Sequence, residues 1–194
     1  MSTLLKQPVF VVEQRGKASE LDVGSEIRDA DGSTIGAIRP VEQSAARKAF
    51  RLVARIDAYL GHTFEVTDRT GTVQLRLDRP ARFVRSRLVV TEPSGREIGE
   101  ITQLNSHGKI RFGLTYTGKP IGELRGRSIR GSSFDILDRE ENQVGRVRKE
   151  FEDPNERDGS RSVMLDSEVA GPLRTLAIAA GIALDLALHP SGAE

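Results

Sequence analysis

Cysteine is absent from the 194 residues, and so is tryptophan. Without a thiol the chain has no disulfide staple, zinc–cysteine site, iron–sulfur cluster or thiol nucleophile. An excess of one charge is missing too: 29 Lys and Arg face 28 Asp and Glu, a formal net charge of +1. That balance excludes a generally basic nucleic-acid coat and leaves only local patches to consider. Aromatic residues are 5% of the chain, and none are interleaved as stacking platforms among the basic residues, so no nucleic-acid partner is expected. Met1 to Pro8 contains neither a long apolar run nor a small-residue cleavage site, which reads as no signal peptide and a cytoplasmic location. With 37% hydrophobic and 29% charged residues, the composition is neither disordered nor that of a polytopic membrane protein. The length suits a single domain over 1–194 with a real core.

Glycine and arginine are plentiful. Nineteen Gly is about 10% of the chain, above the usual ~7%, and points to many tight turns. Of the 29 basic residues 23 are Arg and six Lys, a bias that a GC-rich bacterial genome produces.

The glycines fall in a repeat. Ile27-Arg28-Asp29-Ala30-Asp31-Gly32 leads into Ile35-Gly36-Ala37-Ile38, and Val66-Thr67-Asp68-Arg69-Thr70-Gly71 into Val73, Leu75 and Leu77. Val90-Thr91-Glu92-Pro93-Ser94-Gly95 leads into Ile98-Gly99-Glu100-Ile101, and Leu114-Thr115-Tyr116-Thr117-Gly118 into Ile121-Gly122-Glu123-Leu124. Ile136-Leu137-Asp138-Arg139 leads into Val144-Gly145-Arg146-Val147. Each unit is an alternating strand, a turn and a second alternating strand. The acid accepts hydrogen bonds from the next backbone amides, and Gly supplies positive φ. Alternation leaves one apolar face per hairpin that must be covered. Unit starts at 27, 66, 90, 114 and 136 give spacings too uneven for a solenoid, and five such hairpins read as a meander or a closed barrel.

Residues 43–61 fit either period, with a strand around 49–56 favoured between neighbouring hairpins. Ser162-Val163-Met164-Leu165 reads as a last strand. The stretch from Pro172 to Leu188 breaks the pattern: it opens with Pro, as a first helical turn allows, and is apolar nearly all round, so it is either buried or in a membrane. Thr175 to Leu188 would make about 21 Å of helix, short of the roughly 20 apolar residues of a membrane span. Arg174 and Asp185 bracket the run. Small residues such as Ala179, Ala180 and Gly181 would let strands approach a central helix on every side.

Catalytic patterns are lacking. His62, His107 and His189 are far apart and in no metal-binding spacing; Gly131-Ser132-Ser133-Phe134 is not a nucleophile elbow; no P-loop or dinucleotide fingerprint occurs. The repeated acids are explained as turn acceptors. The expectation is no enzyme, no metal site and no cofactor.

Five strand–turn–strand units followed by one wholly apolar helix resemble the phospholipid scramblase / LURP-one-related family, which shares the tubby C-terminal-like fold. Leu77-Asp78-Arg79-Pro80 ends the second unit as scramblase-like chains do. Glu92 to Gln103 is similar to their P-x-G-x-x-I-G-x-[IV]-x-Q stretch. Phe134-Asp135-Ile136 with Val144 to Lys149 is similar to the later F-x-I … G-x-[IV]-x-K hairpin, and Ile182-Ala183-Leu184-Asp185-Leu186 to the family's helix with its late Asp. The likeness spans roughly residues 8–189. It implies a mainly β fold, a roughly 12-stranded antiparallel barrel over about 8–166, closed around a central helix over about 171–189. It also implies a module associated with membranes or phosphoinositides. The Pro-rich extension and the cysteines open to palmitoylation are missing, which removes one of the two signals that stable anchoring requires. The acidic stretch before the helix is degraded as a calcium loop: Asp153 and Asn155 stand at positions one and three, but Arg157 falls at five, Asp158 where the turn Gly belongs and Met164 at twelve. No metal is expected there.

Arginine clusters are the remaining signal. Arg76, Arg79, Arg82, Arg85 and Arg87 form one, Arg125, Arg127 and Arg130 a second, and Arg146, Arg148 and Lys149 a third. Brought together, they would bind anionic headgroups; the competing reading is of outward-facing strand residues paired with nearby acids. The sequence therefore predicts a non-enzymatic peripheral module for anionic lipid headgroups without calcium-driven flipping. The alternative is a cytoplasmic protein-interaction barrel, and the weaker alternative is phospholipid scrambling.

Overall fold

A computed structural model describes residues 4–14, 25–41, 62–80, 86–105, 109–127, 133–150 and 160–184. Each Asx/Gly unit is an antiparallel hairpin: β2 (Ser25–Asp29) with β3 (Thr34–Pro40), β4 (His62–Asp68) with β5 (Val73–Arg79), and β6 (Arg87–Thr91) with β7 (Glu97–Gln103). The last two are β8 (Arg111–Tyr116) with β9 (Lys119–Gly126) and β10 (Ser133–Asp138) with β11 (Gln143–Glu150). Two further strands, β1 (Val9–Gln14) and β12 (Ser160–Leu165), pair with each other, Phe10 opposite Val163. Their pairing closes a twelve-stranded up-and-down barrel, and closure removes the sheet edges that would otherwise template aggregation.

The turns work as their residues require. In four hairpins the acid at the end of the first strand (Asp29, Asp68, Glu92, Asp138) donates its N–H to the carbonyl four residues on and accepts from the N–H three residues on. Oδ1 of Asp29 also accepts from the amides of Asp31 and Ser33, and that of Asp68 from Thr70 and Thr72. The residue three beyond the acid needs positive φ, and Gly32, Gly71 and Gly95 supply it at 80–87°. In the β10–β11 turn that place is taken by Glu141, at φ 64°. The β8–β9 turn is a two-residue link in which Thr117 and Gly118 both have positive φ, the form that matches strand twist.

All five tight turns lie at one end of the barrel. Every longer link between strands starts and finishes at the other, because an up-and-down path alternates between ends, while the β12–helix link, 166–170, lies at the tight-turn end. The sequence-favoured strand at 49–56 and the degraded calcium loop (Asp153, Asn155, Asp158) lie outside the described residues.

A helix, α1 (Gly171–Ala183), runs through the barrel, with Pro172 in its first turn as expected. Every residue from Arg174 to Ala183 is buried, Leu184 beyond it as well, and the inward strand residues, among them Phe10, Phe112, Phe134 and Ile101, close around it. Among the described residues no helix is long and apolar enough to cross a membrane. Arg174, which the sequence reading placed as a bracket of the apolar run, is itself buried. Its guanidinium donates to the carbonyls of Leu5, Lys6, Gln7 and Val169 at 2.6–3.2 Å. It ties a short 3-10 turn, Leu4–Lys6, over the tight-turn end, where Leu4 and Leu5 are buried.

The recurring Ile/Val-Gly has a packing cause. Each hairpin carries a register shift in its first strand: at Ile27/Arg28, Val66/Thr67, Val90/Thr91, Leu114/Thr115 and Ile136/Leu137. The extra residue of a bulge re-aims its peptide group. The carbonyls of Thr67, Thr115 and Leu137 thus point at Gly36, Gly99 and Gly122 of the preceding hairpins, where a Cβ would sit 2.3–2.5 Å from the oxygen. Leu4, Leu176 and Leu173 press on the same three glycines from inside. At the corresponding place in β5 stands Leu75, beside the β5–β6 ladder, which is only three pairs long.

Candidate functional site

The outer wall is a lattice of cross-strand ion pairs. Arg76 on β5 pairs with Glu65 on β4 at 3.0 Å, Arg87 on β6 with Glu100 on β7, and Arg146 on β11 with Asp135 on β10 at 3.1 Å. Arg76–Glu65 and Arg146–Asp135 are directly opposed and Arg87–Glu100 is diagonal; such cross-strand pairs stabilise a sheet modestly, on an exposed wall each by less than about 1 kcal/mol.

The predicted arginines separate into three groups. Arg79 and Lys149 stand at inward-facing positions near the long-connection end, Arg79 being 5% exposed, and both are engaged within the protein. Arg161, also buried, lies opposite Lys149 in register. The last described turn of the C-terminal helix is directed to this end, and the partial negative charge of a helix C-terminus favours cations. Arg87, Arg125, Arg127 and Arg148 lie on the outside, Arg148 exposed and without an ion pair among the described residues. Arg82, Arg85 and Arg130 lie outside the described residues. Of the histidines, His62 opens β4, its ring 6.3 Å from that of Phe64.

The structure brings Arg125 and Arg127 together with residues that no sequence cluster contained. Lys109, Arg111, Arg125, Arg127, Asp135 and Glu141 line an open groove of about 650 Å³ across β8, β9 and β10. Arg111 and Arg125 are directly opposite in register. Glu123 bridges them: it accepts from Nε and Nη2 of Arg111 at 2.6 and 2.5 Å and from Nε of Arg125 at 3.1 Å. Partial burial pushes the Glu123 carboxyl up, but the Arg111 and Arg125 hydrogen bonds outweigh it and hold the group below the usual carboxylate range. Nη2 of Arg125 donates to Glu141 at 3.1 Å, and Arg127 lies 3.5 Å from Asp135. Lys109 makes no side-chain hydrogen bond or ion pair among the described residues. The signal for this grouping was the period-2 spacing of Arg111, Glu123, Arg125 and Arg127, all outward; their alignment across strands needed the register. No group of three or more acids and histidines suited to a metal occurs among the described residues.

Charge is also segregated along the barrel axis. At the tight-turn end Asp29, Asp31, Asp68, Glu97, Asp138, Glu140, Asp166 and Glu168 stand against Lys6, Arg69, Lys119, Arg139 and the buried Arg174, beyond the mutually paired Glu92 and Arg96 and the groove-facing Glu141. Toward the long-connection end Arg39, Arg76, Arg79, Arg87, Lys109, Arg111, Arg125, Arg127, Arg146, Arg148, Lys149 and Arg161 stand against Glu13, Glu26, Glu65, Asp78, Glu100, Glu123 and Asp135, with Arg28 paired to Glu13 and Glu26. Among the described residues one end carries an excess of acids and the other an excess of bases, although the whole chain is near neutral.

No protein-family model, curated protein or solved structure matches the chain.

Proposed function

We propose that this barrel is a non-enzymatic, peripheral binding module for anionic lipid headgroups, which docks with its long-connection end toward the membrane. The axial segregation of charge is the observation that carries this reading. A near-neutral protein with a basic end and an acidic end orients in the field of an anionic surface, attracted at one end and repelled at the other. The likeness to scramblase and LURP-one-related chains points the same way. Lipid flipping is not part of the proposal: α1 would have to leave the barrel and expose its apolar lining to water.

The second reading, a cytoplasmic protein-interaction barrel, draws on the wall of Arg–Glu pairs, which presents an evenly charged surface suited to another protein. Co-sedimentation with neutral and anionic vesicles, with and without calcium and at two salt concentrations, separates the two. The lipid module binds only anionic vesicles, independently of calcium, and loses binding as the Debye length shrinks from about 10 Å at 0.1 M salt to about 3 Å at 1 M. Absence of binding under every condition refutes the lipid reading and leaves the interaction barrel.

A further inference from the structure

The groove across β8, β9 and β10 sets cations against each other, where the described outer wall elsewhere pairs unlike charges, as Arg76 with Glu65 and Arg146 with Asp135, or sets two acids opposite across a cation, as Glu13 and Glu26 across Arg28. Here two guanidinium groups, Arg111 and Arg125, are directly opposite, an arrangement that costs stability by itself, and Glu123 holds them side by side. Each keeps its Nη1 outside the hydrogen bonds that Glu123 and Glu141 accept. Lys109 and Arg127 extend the cationic rim, the Arg127 side chain meeting, among the described residues, one acid, Asp135 at 3.5 Å.

Backbone strain marks the same place. Of the four equivalent acid turns, three put Gly at the positive-φ position and the fourth puts Glu141 there. A side chain in this conformation costs on the order of 1 kcal/mol, and such residues cluster at ligand sites. The Glu141 side chain is the one that reaches Arg125 and fixes its guanidinium at the groove.

We infer that this groove is a discrete site for a phosphate group. Four cationic side chains against Glu123, Asp135 and Glu141, with Arg146 sharing Asp135, leave a surplus of positive charge suited to a dianion. Paired planar guanidinium groups match the oxygens of phosphate, and a groove of this size accommodates a phosphorylated small molecule or one lipid headgroup. The inference rests on the reading that the barrel takes anionic ligands, and adds that one saturable position does so.

Isothermal titration of the full chain with glycerol 3-phosphate tests it, beside co-sedimentation with vesicles of phosphatidylcholine alone or mixed with phosphatidic acid or phosphatidylserine. Lys109→Gln with Arg127→Gln is the variant of choice, since it leaves the Glu123 bridge intact. Saturable 1:1 binding, weakened at least tenfold in the variant, is expected. If phosphatidic acid vesicles then bind better than phosphatidylserine vesicles and lose that preference in the variant, the phosphate is a lipid headgroup's; if glycerol 3-phosphate binds and the vesicles show no preference, the ligand is a free phosphate compound. Vesicle binding unchanged in the variant, with no uptake of glycerol 3-phosphate, overturns the groove site while the peripheral module stands. No binding of either probe overturns both.

Discussion

Alanine at Gly99 tests the account of the repeat. An added Cβ would lie 2.3 Å from the carbonyl oxygen of Thr115 and 3.0 Å from Cδ1 of Leu176. Ordinary contact begins near 3.4 Å, so the overlap with the oxygen is roughly 1 Å. A side chain would swing aside, but this oxygen belongs to the bulged backbone of β8, which is laddered to β7 on one side and β9 on the other. Relief therefore requires two ladders to shift, placing the cost near the top of the range for overpacking, about 3 kcal/mol. The loss of unfolded-state freedom on replacing Gly returns about 0.7 kcal/mol, leaving a net destabilisation of about 2 kcal/mol. For a chain of this size that lowers the Tm by roughly 4–8 °C. Thermal unfolding followed by circular dichroism reads the shift, with Gly122→Ala, whose Cβ would meet Leu137 O and Leu173, expected to behave alike. A Gly99→Ala protein with unchanged Tm would refute the claim that bulge carbonyls dictate these glycines.

Arg174→Met leaves the carbonyls of Leu5, Lys6, Gln7 and Val169 without their common donor and is expected to cost about 3 kcal/mol, read as a lower urea midpoint. Arg174→Lys should rescue only part of it, because a point charge cannot reach four acceptors that a planar fork serves. Glu141→Gly removes the positive-φ strain and should stabilise the chain by about 1 kcal/mol while weakening glycerol 3-phosphate binding in the titration; lower stability would contradict the strain. In acid, Asp68 is held below the usual range by the Thr70 hydroxyl, Asp138 by the Asn142 amide, and Glu123 by its two arginines against the upward push of burial. Groups whose folded pKa is depressed stabilise fully above their unfolded value, about 4, and lose that stabilisation as pH falls through the folded value. The Tm should therefore be flat from pH 7 to 5 and drop below about 4, less steeply in Asp68→Asn; a Tm already falling between pH 7 and 5 contradicts this assignment.

Much of the fold was legible because its cues are local. Asp29 and Gly32, or Asp68 and Gly71, specify a turn within five residues, and alternation on both sides names the buried face without knowledge of a partner. The helix was legible from Pro172 and the run of Ala, Leu and Ile. Arg174 was not: its burial depends on carbonyls about 168 residues away in sequence, which no local pattern carries. The arginine clusters misled for a related reason. Nearness in sequence suggested that Arg79 acts with Arg87, yet along β5 and β6 alternation sends one inward and the other outward.

The amino-acid sequence by itself determined the turns, the inner and outer faces of ten strands and the burial of α1, since each depends on period and on backbone freedom over a few residues. Only the tertiary structure decided which outward residues meet. Register between strands far apart in sequence sets Arg111 against Arg125 and carries Glu141 to the same groove, because cross-strand distance is fixed by hydrogen-bond pairing across the ladder and not by position along the chain.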